Sequence, residues 1–198
     1  IRGCRAVSGL YYDARGGGVY VSNAAEWLTL SGSAKIENCR AETAESSSGS
    51  SYGGGIYTYY MAKLTLEGSA SVAGCTAENG GALYLTAPNG INWPGNGIFN
   101  ANGGSVNGDV VLGDGKDYPC TIQAEENAGG TKFTGKVTVS AGSEIKAGQF
   151  EGEVVNNGTI TGGEFTGTVI NGEGGTIDEG VSIPNLKFIV TFDNEGVR

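Results

Sequence analysis

Apolar and polar residues alternate along this chain in short bursts, and nowhere is the 3.6-residue period of an amphipathic helix sustained. In Val19-Tyr20-Val21 and Leu83-Tyr84-Leu85 aliphatic side chains point one way and tyrosine the other, the period of two expected of a strand. The bursts also repeat. Leu28-Thr29-Leu30-Ser31-Gly32-Ser33-Ala34-Lys35-Ile36-Glu37-Asn38-Cys39-Arg40-Ala41 matches, without a gap, the unit from Leu64-Thr65-Leu66 to Gly74-Cys75-Thr76-Ala77, at an offset of 36 (75 minus 39). Ile1-Arg2-Gly3-Cys4-Arg5-Ala6 copies the end of that unit, so the chain is expected to open partway through a coil.

A glycine-led strand recurs between these units: Gly17-Gly18-Val19-Tyr20-Val21, Gly54-Gly55-Ile56-Tyr57-Thr58 and Gly81-Ala82-Leu83-Tyr84-Leu85. From residue 133 a second, shorter repeat takes over. Phe133-Thr134-Gly135-Lys136-Val137, Phe150-Glu151-Gly152-Glu153-Val154 and Phe165-Thr166-Gly167-Thr168-Val169 follow at steps of 17 (150 minus 133) and 15 (165 minus 150), with Ile145, Ile160 and Ile177 recurring between glycines. This spacing predicts a strand, a turn and a second strand in each short coil.

Fixed strands joined by loops of variable length are the signature of a solenoid, in which each coil buries its apolar face only against its neighbours. The expected fold is therefore all-β: a right-handed, single-stranded parallel β-helix, or β-solenoid, narrowing toward its C-terminal end. It would span residues 1–187, with long coils over 1–85, a transitional stretch over 86–131 and short coils over 132–187. Residues 188–198 are expected to start or cap a following module. An antiparallel array of hairpins competes, because Asn-Gly pairs at residues 79, 89, 96, 102, 107, 157 and 171 are strong turn signals. Hairpins would set successive strands running in opposite directions, whereas these repeats place like beside like.

Charge and composition narrow the function. Twenty-one acidic against twelve basic residues give a net charge of -9, which disfavours nucleic acid and anionic membranes as partners. The apolar runs are only a few residues long, as in Phe188-Ile189-Val190, far below the roughly 20 residues of a membrane-spanning helix. Histidine is absent, which removes the usual general base and the commonest zinc ligand. The chain begins at Ile1 and stops at Arg198 inside a strand-like run, so it reads as a segment of a longer protein with further domains.

Gly80-Gly81-Ala82-Leu83-Tyr84 and Gly53-Gly54-Gly55-Ile56-Tyr57 resemble the Gly-Gly-Ala-Ile-type repeat of polymorphic outer-membrane proteins and of adhesin-like β-helix proteins of gut bacteria. Ile36-Glu37-Asn38-Cys39 stands where those families carry Phe-x-x-Asn. The terminal Val190-Thr191-Phe192-Asp193-Asn194-Glu195-Gly196 resembles the opening strand of the repeat shared by Listeria and Bacteroides surface proteins. Both resemblances imply a secreted, non-catalytic segment at a bacterial cell surface, with a host or microbial glycan or a surface protein as partner. A polysaccharide lyase or glycoside hydrolase on a pectin-lyase-like helix is the enzymatic alternative, and a passive stalk the structural one.

Three groups of residues are candidate sites. Tyr20, Tyr57 and Tyr84 should align on one outer face, with Trp27, Tyr59 and Tyr60 nearby, either as a row that stacks on sugar rings or as sheet packing beneath a loop. Cys4, Cys39 and Cys75 occupy equivalent positions and should form one column, as buried thiols or with one adjacent pair oxidised. Asp109, Asp114 and Asp117 are read either as solvated turn carboxylates or as oxygen ligands for calcium. No cofactor and no metal site are expected, and acids that fall singly, as Glu153 and Glu164 do, offer no catalytic pair.

Overall fold

The computed structural model describes residues 1–22, 27–45, 47–59, 63–87, 97–115 and 118–189. Among them there is no helix, and every paired strand runs parallel to its partner in three long sheets and two small ones. The chain is a parallel β-helix, and the hairpin alternative is excluded by the direction of its pairs.

A tyrosine sheet of eight strands runs from Val19–Ser22 to Leu186–Phe188. An isoleucine sheet of seven runs from Trp27–Leu30 to Thr176–Ile177, and a phenylalanine sheet of six from Lys35–Glu37 to Glu164–Phe165. Each full coil visits the isoleucine, phenylalanine and tyrosine sheets in turn. The short coils therefore have three sides rather than the two strands expected. The third strand leaves no pattern in the sequence because two-residue strands such as Glu144–Ile145 and Gln149–Phe150 carry only one inward side chain, and one residue shows no alternation.

Register follows the repeats. Val19 lies on Ile56 and Ile56 on Leu83, with Tyr20, Tyr57 and Tyr84 aligned beside them. The column continues through Val110, Val137, Val154 and Val169 to Leu186. Steps along it shrink from 37 residues (56 minus 19) to 27 (83 minus 56) and then to 15 (169 minus 154), so the solenoid tapers. The strands Gly97–Ala101, Ser105–Asn107, Val110–Leu112 and Cys120–Gln123 take their places in the same three sheets. Leu186–Phe188 pairs in parallel with Val169–Asn171, while residues 190–198 and the motif read there lie outside the described residues.

Three long apolar columns run through the interior, flanked by shorter ones of Leu30, Leu66 and Ala101 and of Leu85, Leu112 and Val139. One is Leu64, Phe99, Ile122, Ile145 and Ile160; the second is Ile36, Val72, Val106, Phe133, Phe150 and Phe165; the third is the valine column of the tyrosine sheet. Phe150 stacks on Phe133 at 4.9 Å between ring centres and on Phe165 at 5.0 Å, nearly parallel in both cases. Phe99, from the neighbouring sheet, closes the top of this stack edge-on at 5.7 Å from Phe133. At the narrow end asparagine replaces aliphatic residues inside. Asn156 donates to the Asn171 side chain at 2.7 Å and to the Thr176 carbonyl at 3.1 Å, and accepts from the Gly158 amide at 3.1 Å. A buried amide is tolerated there because its hydrogen bonds are made.

One position unites the two repeat families. The residue two before the inward aliphatic of the tyrosine sheet is Gly17, Gly54, Gly81, Gly108, Gly135, Gly152 and Gly167 in successive coils. A Cβ on Gly135 would land on the Gly108 carbonyl, one on Gly152 on the Gly135 carbonyl, and one on Gly167 on the Gly152 carbonyl. At this corner backbone packs directly on backbone, and any side chain would push the coils apart.

Candidate functional site

After the Cys4 and Cys39 corners the first two long coils leave the solenoid in excursions, over residues 5–16 and 40–53, and the excursions stack on each other. Arg5–Ser8 pairs with Arg40–Thr43, and Ala14–Arg15 with Ser51–Tyr52, all in parallel. In the third coil residues 76–80 bridge the same gap, touching this fin through single bridges from Thr76 to Arg40 and from Asn79 to Tyr52. The fin turns back onto the tyrosine sheet because Gly16, Gly53 and Gly80 adopt φ of 63°, 58° and 60°, the left-handed region that glycine enters without penalty.

The fin changes the reading of the tyrosine row. Tyr20, Tyr57 and Tyr84 are aligned as expected, with centroids 5.4 Å and 5.6 Å apart. Tyr52, carried in by the fin, packs edge-on against Tyr84 at 4.9 Å and Tyr57 at 6.2 Å. The Arg15 guanidinium lies 5.5 Å from the Tyr57 ring centre and pairs with Asp13 at 2.8 Å. Tyr57 and Tyr84 are consequently buried, at 5% and 6% exposure, and only Tyr20 remains open at 47%. Trp27 is exposed on the isoleucine sheet, Tyr59 is half-buried, and Tyr60 lies outside the described residues.

The open aromatic residues sit instead at the outer turn of the first excursion. Tyr11 and Tyr12 are 79% and 75% exposed, beside the exposed Leu10. The signal for them was present in the sequence: Leu10-Tyr11-Tyr12 lies in a linker of variable length between the repeated segments, so no slot in the core awaits it. The turn is tied down at its base. The Ser50 amide donates to the Asp13 carboxylate at 3.1 Å and, with Arg15, holds that carboxyl below its usual range against the opposing effect of burial. Gly49 packs against the Tyr12 backbone, leaving no space for a side chain there.

The cysteine column is partly interior. Cys39 and Cys75 are buried and stacked, the Cys39 amide donating to the Cys75 sulfur at 3.4 Å, but Cys4 is exposed because no described coil lies over it. Room for each buried thiol comes from a glycine in the coil before: a Cβ on Gly18 would approach the Cys39 sulfur to 3.2 Å, and one on Gly55 the Cys75 sulfur to 3.3 Å. All four cysteines are free. Cys120 is also buried, and its thiol donates to the Leu85 carbonyl at 3.3 Å. We expect a thiol reagent to label Cys4 rapidly in the native protein and the other three only after unfolding. Mass spectrometry of the labelled peptides checks this; rapid native labelling of Cys39 or Cys75 would contradict the stacking.

Burial has a consequence at high pH. It pushes the Cys120 thiol up to about 12, and it raises Cys75, Tyr57 and Tyr84, the nearby Asp114 charge adding to the rise at Tyr84. The folded state thus keeps protons that the unfolded chain releases near the ordinary thiol and tyrosine values of about 8.5 and 10. The sign is fixed: the native state binds more protons, so stability is full below pH 8.5 and falls as pH rises beyond it. Urea titrations at several pH values should show this decline, shallower in Cys120→Ala; a flat profile to pH 11 would refute it.

The three aspartates do not form a centre. Asp109 accepts from the Lys136 amide at 3.2 Å, Asp114 lies beside Tyr84, and Asp117 is outside the described residues. Among the described residues no group of three or more His, Cys, Asp or Glu side chains is placed to hold a metal ion. Glu153 faces Lys136 at 3.6 Å across adjacent coils. The fold and the fin define a parallel β-helix repeat protein with an aromatic-tipped excursion. No protein family, curated protein or solved structure matches this chain.

Proposed function

We propose that this chain is a non-catalytic, extracellular segment of an adhesin-like bacterial cell-surface protein, and that the fin is its binding element. The observation that carries this reading is the pair Tyr11 and Tyr12, the most exposed large apolar residues among those described, on a tied-down turn outside the repeat. Tyrosine offers a rigid apolar face with a polar tip, suited to sugar C–H faces and to protein surfaces alike. The resemblance of the glycine-led strands to the repeats of adhesin-like and polymorphic outer-membrane proteins supports the surface location. The net charge of -9 supports a partner that is neither nucleic acid nor an anionic membrane.

A spacer is the second reading. It is favoured by the unbroken tyrosine sheet, whose seven steps at about 4.8 Å set its first and last strands roughly 34 Å apart. Binding to an array of glycans and host-matrix proteins separates the two. With adhesion, saturable binding appears and falls at least tenfold in the Tyr11→Ala/Tyr12→Ala variant, whose exposed positions leave the fold intact. Binding retained by that variant would remove the tip from the site, and silence across the array would favour the spacer.

A further inference from the structure

The taper of the solenoid creates a step, and the step holds a cleft of about 270 Å³. Between Cys120–Gln123 and Lys132–Phe133 the chain runs through residues 124–131, whereas the equivalent corners below are only 146–148 and 161–163. The longer corner overhangs the two shorter ones. It is pinned there: Gln149 Nε2 donates to the Gly129 carbonyl at 3.3 Å, and Gly130 packs on the Gln149 side chain.

The floor of the cleft is glycine backbone laid over the phenylalanine stack. Gly148 and Gly163 have φ of 118° and 109°, and a Cβ on them would come within 3.1 Å and 3.2 Å of the stacked phenylalanine rings. A side chain at either position would point inward onto these rings from a strained backbone, and among the described residues no hydrogen bond engages their amides. The rim carries one cation, one amide and one carboxylate: Lys146, which is paired with Glu144 at 3.2 Å, Gln149 and Glu164. Ala128 and Ala147 supply methyl groups facing the same space.

We infer that this shoulder is a binding site for one neutral pyranose unit of a glycan. Its donors and acceptors are mixed and its two rim charges are of opposite sign, which suits hydroxyl groups better than a net charge. The alanine methyls and glycine floor suit the C–H face of a sugar ring. The volume lies just below the roughly 300–1,000 Å³ of drug-sized sites, enough for a single ring. This site is remote in sequence from the fin and is independent of the adhesion reading given above.

The test is a titration of the ¹⁵N-labelled protein with methyl β-glucopyranoside and methyl β-galactopyranoside, with glucuronate and glucosamine as charged comparisons. The Gly148 and Gly163 amide resonances should shift and saturate with at least one neutral glycoside. Gln149→Ala, and Ala128→Trp, which fills the cleft from an exterior loop, should each weaken that binding at least tenfold. The Tyr11→Ala/Tyr12→Ala variant should bind as the parent does, so the cleft and the fin fail or succeed separately. No shift with either neutral glycoside up to tens of millimolar, or equal shifts in Ala128→Trp, would overturn the site. Tighter binding of glucuronate or glucosamine would overturn the neutral ligand.

Discussion

Replacing Gly152 with valine should cost about 3 kcal/mol or more and lower the melting temperature by roughly 10 °C, an effect out of proportion to one surface corner. The Cβ would meet the Gly135 carbonyl, a backbone atom that cannot rotate away as a side-chain end would. Gly152 has no positive φ, so the loss would report close approach alone and not backbone strain. Moving the coil outward to relieve the contact would strip the Val154 and Phe150 side chains of their neighbours on both sides. Gly180→Val is the control, because a Cβ there meets nothing within 4 Å and a surface change of that kind shifts stability by about 0.5 kcal/mol or less. Thermal unfolding followed by circular dichroism decides: equal melting of the two variants would show that the glycine column is incidental.

Phe150→Ala should be comparably damaging, at about 3–5 kcal/mol, the range for emptying a buried phenylalanine site. The ring is 1% exposed, stacks on phenylalanine above and below, and supports the glycine corners at residues 148 and 163. Neighbouring backbone cannot collapse into the hole, because the flanking strands are held in register by their own pairs. Phe150→Leu should restore much of the loss by refilling part of the volume. A solenoid is stabilised coil by coil, so the damage should be local. Hydrogen exchange in Phe150→Ala should accelerate most over residues 144–177 and least over residues 27–85; uniform acceleration would instead mean that the rod unfolds as one unit.

Much of this architecture was legible because like side chains stack. The offset of 36 between Cys39 and Cys75 is the register of Ile36 on Val72 and Leu28 on Leu64, and the Phe133, Phe150, Phe165 series is a ring stack. The pattern faded where physics writes no alternation into the sequence. Two-residue strands hid the third side of the short coils. Residues 97–123 hold the same columns with Phe99, Val106 and Val110, but changing corner lengths masked the repeat. The glycine column was visible only by counting back two places from each inward aliphatic, a register that loops of unequal length obscure.

The candidate site was less legible for a different reason. Alternation correctly turned Tyr57 and Tyr84 away from the core, yet a side chain outside the solenoid is not necessarily in water. Tyr52 covers them from an excursion whose path depends on its stacking against residues 5–16, and no local pattern encodes that. Cys4 shows the reverse. It has the sequence position of a buried thiol, but among the described residues no glycine of a preceding coil lies over it as Gly18 lies over Cys39, and it is exposed.

The shrinking coils also give folding a direction. A strand pair at the narrow end closes a loop of 15 residues, as from Val154 to Val169, whereas the first pair of the tyrosine sheet closes one of 37, from Val19 to Ile56. Closure entropy grows as the logarithm of loop length, so the longer loop costs about 0.8 kcal/mol more before any contact compensates. Nucleation is therefore favoured among residues 133–177, and each finished coil then offers a template edge to the next. The wide end, with its fin, would be the last part to take shape.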